Sequence, residues 1–165
     1  MTSDLDKSKT MAEPRRRVDG LSATLYLRSG VGGAVERRQS ALRDRLEALH
    51  DEVDIDLDQA LWSRTVVTPT GDDRSAAAVS TYRGLRQAVE AAGGRLGPFF
   101  EVRDRRGGLL VGRPEGKRIT FPVACLVVRS ERAFVGCYPC WIDGTHYSVE
   151  DGLTALASGD PANLC

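Results

Sequence analysis

No apolar run in this 165-residue chain approaches the roughly 18 residues that a membrane-spanning helix needs, so no membrane partner is expected. Its opening, Met1-Thr-Ser-Asp-Leu-Asp-Lys-Ser-Lys-Thr10, is followed by no apolar stretch, so no secretory signal is visible and a cytoplasmic location is expected. Net charge is also lacking, with 23 basic against 23 acidic side chains, and bulk electrostatics therefore does not point to nucleic acid. Lysine is nearly absent: Lys7, Lys9 and Lys117 stand against 20 Arg, a bias that reads as a GC-rich genome rather than as a function. There is no paired-carboxylate, Ser/His/Asp or H-E-x-x-H arrangement, so no enzyme and no cofactor are expected. Internal repeats and sustained heptads are missing as well, which excludes solenoids and coiled coils.

What is present fits one domain with a core large enough to stand without staples. The charges are segregated along the chain. Residues 15–45 carry eight Arg against Asp19, Glu36 and Asp44. Residues 46–60 hold six acids and no base, and residues 95–132 hold nine bases against four acids. Such a chain can present a basic face despite its neutral total, although solvated surface charge is the favoured reading of the pattern.

The polar segment 1–20, with Arg15-Arg16-Arg17, is expected to be a disordered basic arm. A single domain is expected over 21–158, followed by a short tail, 159–165. Ala23, Leu25 and Leu27 alternate with Thr24, Tyr26 and Arg28 in the period of a strand. Gly30 to Gly33 turn the chain into a helix from Val35 to about His50, with Val35, Leu42, Leu46 and Leu49 on its apolar face. Ile55, Leu57 and part of 61–67 suggest a second strand, bent or at a sheet edge because Asp56, Asp58 and Gln59 interrupt it. A second helix spans about Ser75 to Ala92, buries Val79, Tyr82, Leu85 and Val89, and stops at Gly93-Gly94. Phe99 to Arg103 read as a short strand, and a flexible polar excursion follows between Arg105 and Gly116.

The most apolar stretches, Ile119–Val128 and Ala133–Tyr138, flank the polar turn Arg129–Arg132 and predict a hairpin at the centre of the sheet. Ser148-Val-Glu-Asp151 is a capping pattern that opens a short last helix. The resulting fold class is α+β: a small, mostly antiparallel sheet with the two main helices packed on one face and a short C-terminal helix.

Cys137-Tyr-Pro-Cys140 is the one recognisable chemical motif. Two thiolates at this spacing can clasp zinc, but a structural site needs two further ligands, and Cys125, Cys165, His50 and His146 offer no second close pair. Redox use calls for a helix N-terminus at the first Cys, whereas this motif ends a strand. Packed thiols are the favoured reading, with metal and redox roles behind it. His146 in its loop reads as a surface residue, and His50 as a group near the last carbonyls of its helix. Gly30-Val-Gly32-Gly33 has the strand-to-helix context of an anion loop but lacks the phosphate-loop signatures, so a tight turn is favoured.

Several segments, taken in order, are similar to a known family. They are Ala23-Thr-Leu-Tyr-Leu-Arg28, the helix from Glu36 through Glu47, Gly97-Pro-Phe-Phe-Glu101, Pro122-Val-Ala-Cys-Leu126 and Val149-Glu-Asp-Gly-Leu153. Together they resemble a family of small haloarchaeal proteins labelled as helix-turn-helix domain proteins, over about residues 21–157. The resemblance implies duplex-DNA binding and transcriptional regulation. On that reading Arg15, Arg16, Arg17, Arg37, Arg38, Arg43 and Arg45 are the expected contact residues. Two clear helices separated by about 24 residues and a near-zero net charge depart from that pattern. The second reading is a non-enzymatic module that binds a protein partner, another copy of itself or a small ligand.

Overall fold

The chain is described by a computed structural model over residues 16–105, 116–131 and 133–164. Arg15, most of the expected arm and the excursion between Arg105 and Gly116 lie outside the described residues.

The fold is α+β. Its main sheet has four strands: β1 (Arg16–Arg28), β2 (Val53–Trp62), β7 (Ala124–Arg129) and β8 (Phe134–Tyr138), in the order β2-β1-β7-β8. The first strand begins at Arg16, ahead of the Leu21 start suggested by the alternation. β1 and β2 run parallel, with Ala23 opposite Leu57, and α1 (Gly33–His50) makes the crossover that a parallel pair requires. The remaining pairs are antiparallel, with Leu25 opposite Leu126 and Leu126 opposite Tyr138. The second strand is an edge strand, as its interrupted pattern suggests.

The expected placement of both main helices on one face is corrected by the packing. Ala23, Leu25, Leu27, Ala124, Leu126 and Val128 face α1 and the last helix, α3 (Val149–Ser158), through Leu42, Leu46, Leu49, Leu153 and Leu156. The alternate residues Cys125, Val127 and Cys137 face α2 (Asp73–Ala91) through Val79, Tyr82, Leu85 and Val89. The reason is the strand period: β7 is buried and apolar on both faces, so each face needs its own cover.

The predicted hairpin is also corrected at its start. Pro122 brings no N–H to a ladder, and the chain breaks there. Residues before it form β6 (Gly116–Thr120), the middle strand of a small sheet with β3 (Thr65–Val67) and β5 (Glu101–Arg105), in the order β3-β6-β5. Only β7 and β8 form the hairpin, closed by the Ser130 N–H on the Ala133 carbonyl. A third sheet joins β4 (Gly94–Arg95), β9 (Cys140–Ile142) and β10 (Thr145–Tyr147), none of them evident in the sequence pattern.

Few as they are, the aromatic rings are concentrated. Trp62 stacks on Tyr26 at 4.6 Å and meets Phe121 at 4.8 Å, while Phe100 joins Tyr82 at 5.4 Å. The Trp62 indole N–H donates to the Pro122 carbonyl, so its polar edge is satisfied inside the core.

α3 opens on the expected capping box: the Ser148 hydroxyl accepts the Asp151 N–H, and the Asp151 carboxylate accepts the Ser148 N–H. α2 is capped by Asp72, which accepts the Ser75 N–H. The residues after α3 dock on β8, with Leu164 N–H on the Val135 carbonyl and the Tyr138 hydroxyl donating to the Pro161 carbonyl at 2.7 Å.

Candidate functional site

The four arginines of α1 have different fates. Arg38 and Arg45 stand seven residues apart, two helical turns, and so share one side of α1. That side faces α3. Arg38 makes a two-pronged contact with Glu150, Nε–Oε1 3.1 Å and Nη2–Oε2 3.3 Å. Arg45 donates to the Glu150 carbonyl and to the Thr154 hydroxyl. Together they clamp the two helices. Because Arg38 and Glu150 stay 47% and 45% exposed, the pair contributes at most about 1 kcal/mol. Burial opposes ionisation of the Glu150 carboxyl, yet the Arg38 contact wins and holds it below its ordinary range.

Arg43 is half-buried with its Nε shielded and unbonded, while Arg37 is exposed and has no partner among the described residues. Arg16 and Arg17 lie in β1, opposite Val53 and Asp54. The four candidate arginines of α1 are thus not gathered free on one surface of the helix.

A second basic element escaped the search for helical contacts. In the β5–β6 pair, Arg103 lies directly opposite Arg118, and both are exposed. Arg103 has only a loose 4.0 Å contact with Glu101. Like charges placed opposite each other weaken a strand pair in isolation, so this pairing has a cost that local packing does not explain. The excess of bases in residues 95–132 was the available signal.

The turn 30–33 is a turn of glycine geometry. Gly30 and Gly33 have φ of 70° and 61°, and the N-cap of α1, Gly32, offers no side-chain cap. His146, expected to be a surface loop residue, is exposed but lies in β10 rather than a loop, between two rings, 5.1 Å from Phe99 and 5.1 Å from Trp141. His50 ends α1 as expected.

Cys137 and Cys140 lie fully buried on either side of Pro139, and Cys125 is buried in the same cluster. The Cys137 thiol is pushed well up, first by its hydrogen bond with Cys125, and also by burial. The Cys140 thiol is pushed up by its bond with Cys137 and then by burial. Asn163 completes the arrangement: its amide accepts the Cys137 N–H at 2.9 Å and donates to the Cys137 carbonyl at 3.0 Å. These are protonated, internally bonded thiols, the opposite of the exposed thiolate that metal binding or nucleophilic attack uses. Among the described residues, no group of three or more His, Cys, Asp or Glu is arranged to hold a metal ion.

The described residues contain no helix pair joined by a short turn. α1 ends at His50 and α2 begins at Asp73, with β2 and β3 between them, and seven strands separate α2 from α3. The pair that does pack together, α1 and α3, comes from distant parts of the chain. No helix among the described residues is long and apolar enough to cross a membrane.

No curated protein matches the chain, and no solved structure matches it. A family model described as a helix-turn-helix domain matches residues 15–161.

Proposed function

We propose, from the premise that the chain belongs to a helix-turn-helix domain family, that the protein is a non-enzymatic, DNA-associated transcriptional regulator. The observation that carries this reading is the extent of the family match, which takes in nearly all of the described fold. Contact with DNA is then a matter of phosphate neutralisation by arginines that the fold leaves unspent. Arg37 qualifies on α1, because it is exposed and has no partner among the described residues. Arg103 and Arg118 qualify on the β5–β6 pair, where a phosphate would relieve the repulsion between two facing cations. Arg16 and Arg17 stand at the start of β1 as further candidates. Arg38 and Arg45 act chiefly as the clamp between α1 and α3.

The test is the salt dependence of duplex binding in the parent, in Arg37→Ala and in Arg103→Ala/Arg118→Ala. Each lost phosphate contact flattens the log–log slope by roughly 0.9. Slopes identical in all three proteins would remove these arginines from the interface. A cleft beside Arg129 favours a second property, small-ligand binding, in the same chain.

A further inference from the structure

Arg129 ends β7 and leans onto α2. Its Nη2 donates to the Tyr26 hydroxyl at 3.0 Å and lies 3.5 Å from the Thr81 hydroxyl. Its guanidinium lies 4.9 Å over the Phe134 ring. Phe134 is in turn pressed against α2 where Gly84 leaves room, since a Cβ there would stand 2.2 Å from the ring. Aromatic ring and helix therefore fix the guanidinium in place before any ligand arrives.

Its charge has no counter-ion among the described residues. Tyr26 and Thr81 are neutral, and the Nε is shielded from solvent without any hydrogen bond. Glu131 borders the same cleft, and Asp56 and Asp58 border a neighbouring one on the other side of Arg129, yet none of these three is ion-paired with it. A half-buried guanidinium with only hydroxyl partners and no counter-ion is costly unless an oxyanion offsets its charge.

The space beside it suits a small molecule. The cleft is about 540 Å³ and carries the hydroxyls of Ser80, Thr81 and Ser130. Its apolar walls are Ala77, Gly84, Ala133 and Phe134, with Glu131 at its border. Polar groups converging at one end of a partly apolar cleft of this size describe a ligand site.

We infer that this cleft binds a small organic carboxylate, with the carboxylate on Arg129 and its hydroxyl neighbours and an apolar body against Ala77, Ala133 and Phe134. Guanidinium geometry matches a carboxylate through two parallel N–H donors, and the apolar wall selects against a bare anion. The inference goes beyond the DNA reading, and its test needs no nucleic acid.

The experiment is an NMR titration of the isotopically labelled full chain with benzoate, with its neutral relative benzamide, and with inorganic phosphate. Benzoate should shift the amides of Thr81, Ser130 and Phe134 saturably, benzamide should not, and phosphate should bind more weakly than benzoate. Arg129→Gln should weaken benzoate binding by about tenfold or more, the scale of a lost charge-assisted hydrogen bond. Ala77→Phe leaves Arg129 intact and fills the mouth of the cleft; it should weaken binding similarly, and it decides the matter if Arg129→Gln does not fold. The assignment is overturned if benzoate gives no saturable shift or if benzamide binds equally well. Full affinity in Ala77→Phe, or phosphate binding as tight as benzoate, also overturns it.

Discussion

Gln39→Glu is the most discriminating perturbation of the core. Gln39 is the one buried polar residue of α1 among the described residues, 2% exposed, and its amide N–H groups donate to the carbonyls of Arg28 and Val123, each at 3.0 Å. It therefore ties α1 to the end of β1 and to the approach to β7. Glutamate has the same shape, so packing is preserved while two donors become an acceptor facing two carbonyls.

Above the ordinary glutamate range the substitution places an unpaired charge in the core, at a cost of roughly 3–5 kcal/mol. For a chain of this length each kcal/mol lowers Tm by about 2–4 °C, so a drop of roughly 6–20 °C is expected at pH 7. The sign with pH is fixed. Burial raises the folded-state pKa of the new carboxyl, and the protonated form can still donate once. The deficit should therefore shrink as pH falls towards about 4.3, the unfolded value, and widen as pH rises through the folded one. Thermal melts of parent and variant across that range, taken as differences, give the result. A variant that melts with the parent at pH 7, or a deficit independent of pH, would refute the role given to Gln39.

Gly152→Ala should lower Tm by several degrees in the same assay. Its Cβ would stand 2.6 Å from the Tyr138 ring and 2.9 Å from Leu126 Cδ2, and overpacking of about 1–3 kcal/mol outweighs the roughly 1 kcal/mol of helix propensity gained. Ser148→Ala removes the hydroxyl that caps α3 and should cost about 1 kcal/mol by urea unfolding. In the parent, the Ser148 N–H holds the Asp151 carboxyl below its usual range. The Asp151 contribution is therefore complete above about pH 4 and fades as pH falls through the lowered value, a limb that Asp151→Ala should erase. In a Cys165→Ser background, Cys125, Cys137 and Cys140 should react with a thiol reagent only on unfolding, because all three are fully buried and the Cys137 and Cys140 thiols are pushed up by their hydrogen bonds and burial. Rapid native labelling would contradict that.

Much of the local structure is legible in the sequence, for physical reasons. The stripe Val79, Tyr82, Leu85, Val89 is buried as its spacing requires, because one helical face against one sheet face leaves no alternative. The Ser148–Asp151 box is equally local. What sequence reading misses is relational. Periodicity says that Leu25 and Tyr26 point opposite ways, but not which helix covers which side. Val35, placed on the apolar stripe, is 36% exposed, while Gln39 takes the buried position because backbone acceptors await it. Composition flagged the basic stretch of α1, yet Arg38 and Arg45 are spent on Glu150 and Thr154, more than a hundred residues away. The Arg129 cleft is likewise assembled from α2 and the β7–β8 turn, and only tertiary packing brings the two together.

The central claim is that this family member meets DNA through exposed arginines of α1 and of the β5–β6 pair. Its most direct test is fluorescence anisotropy of labelled genomic duplexes across a salt series, comparing the parent with Arg37→Ala/Arg103→Ala/Arg118→Ala. The account predicts binding at low salt with a steep log–log slope, flattened in the variant by nearly three units at about 0.9 per contact. No binding at low salt, or a slope that the triple substitution leaves unchanged, would contradict it.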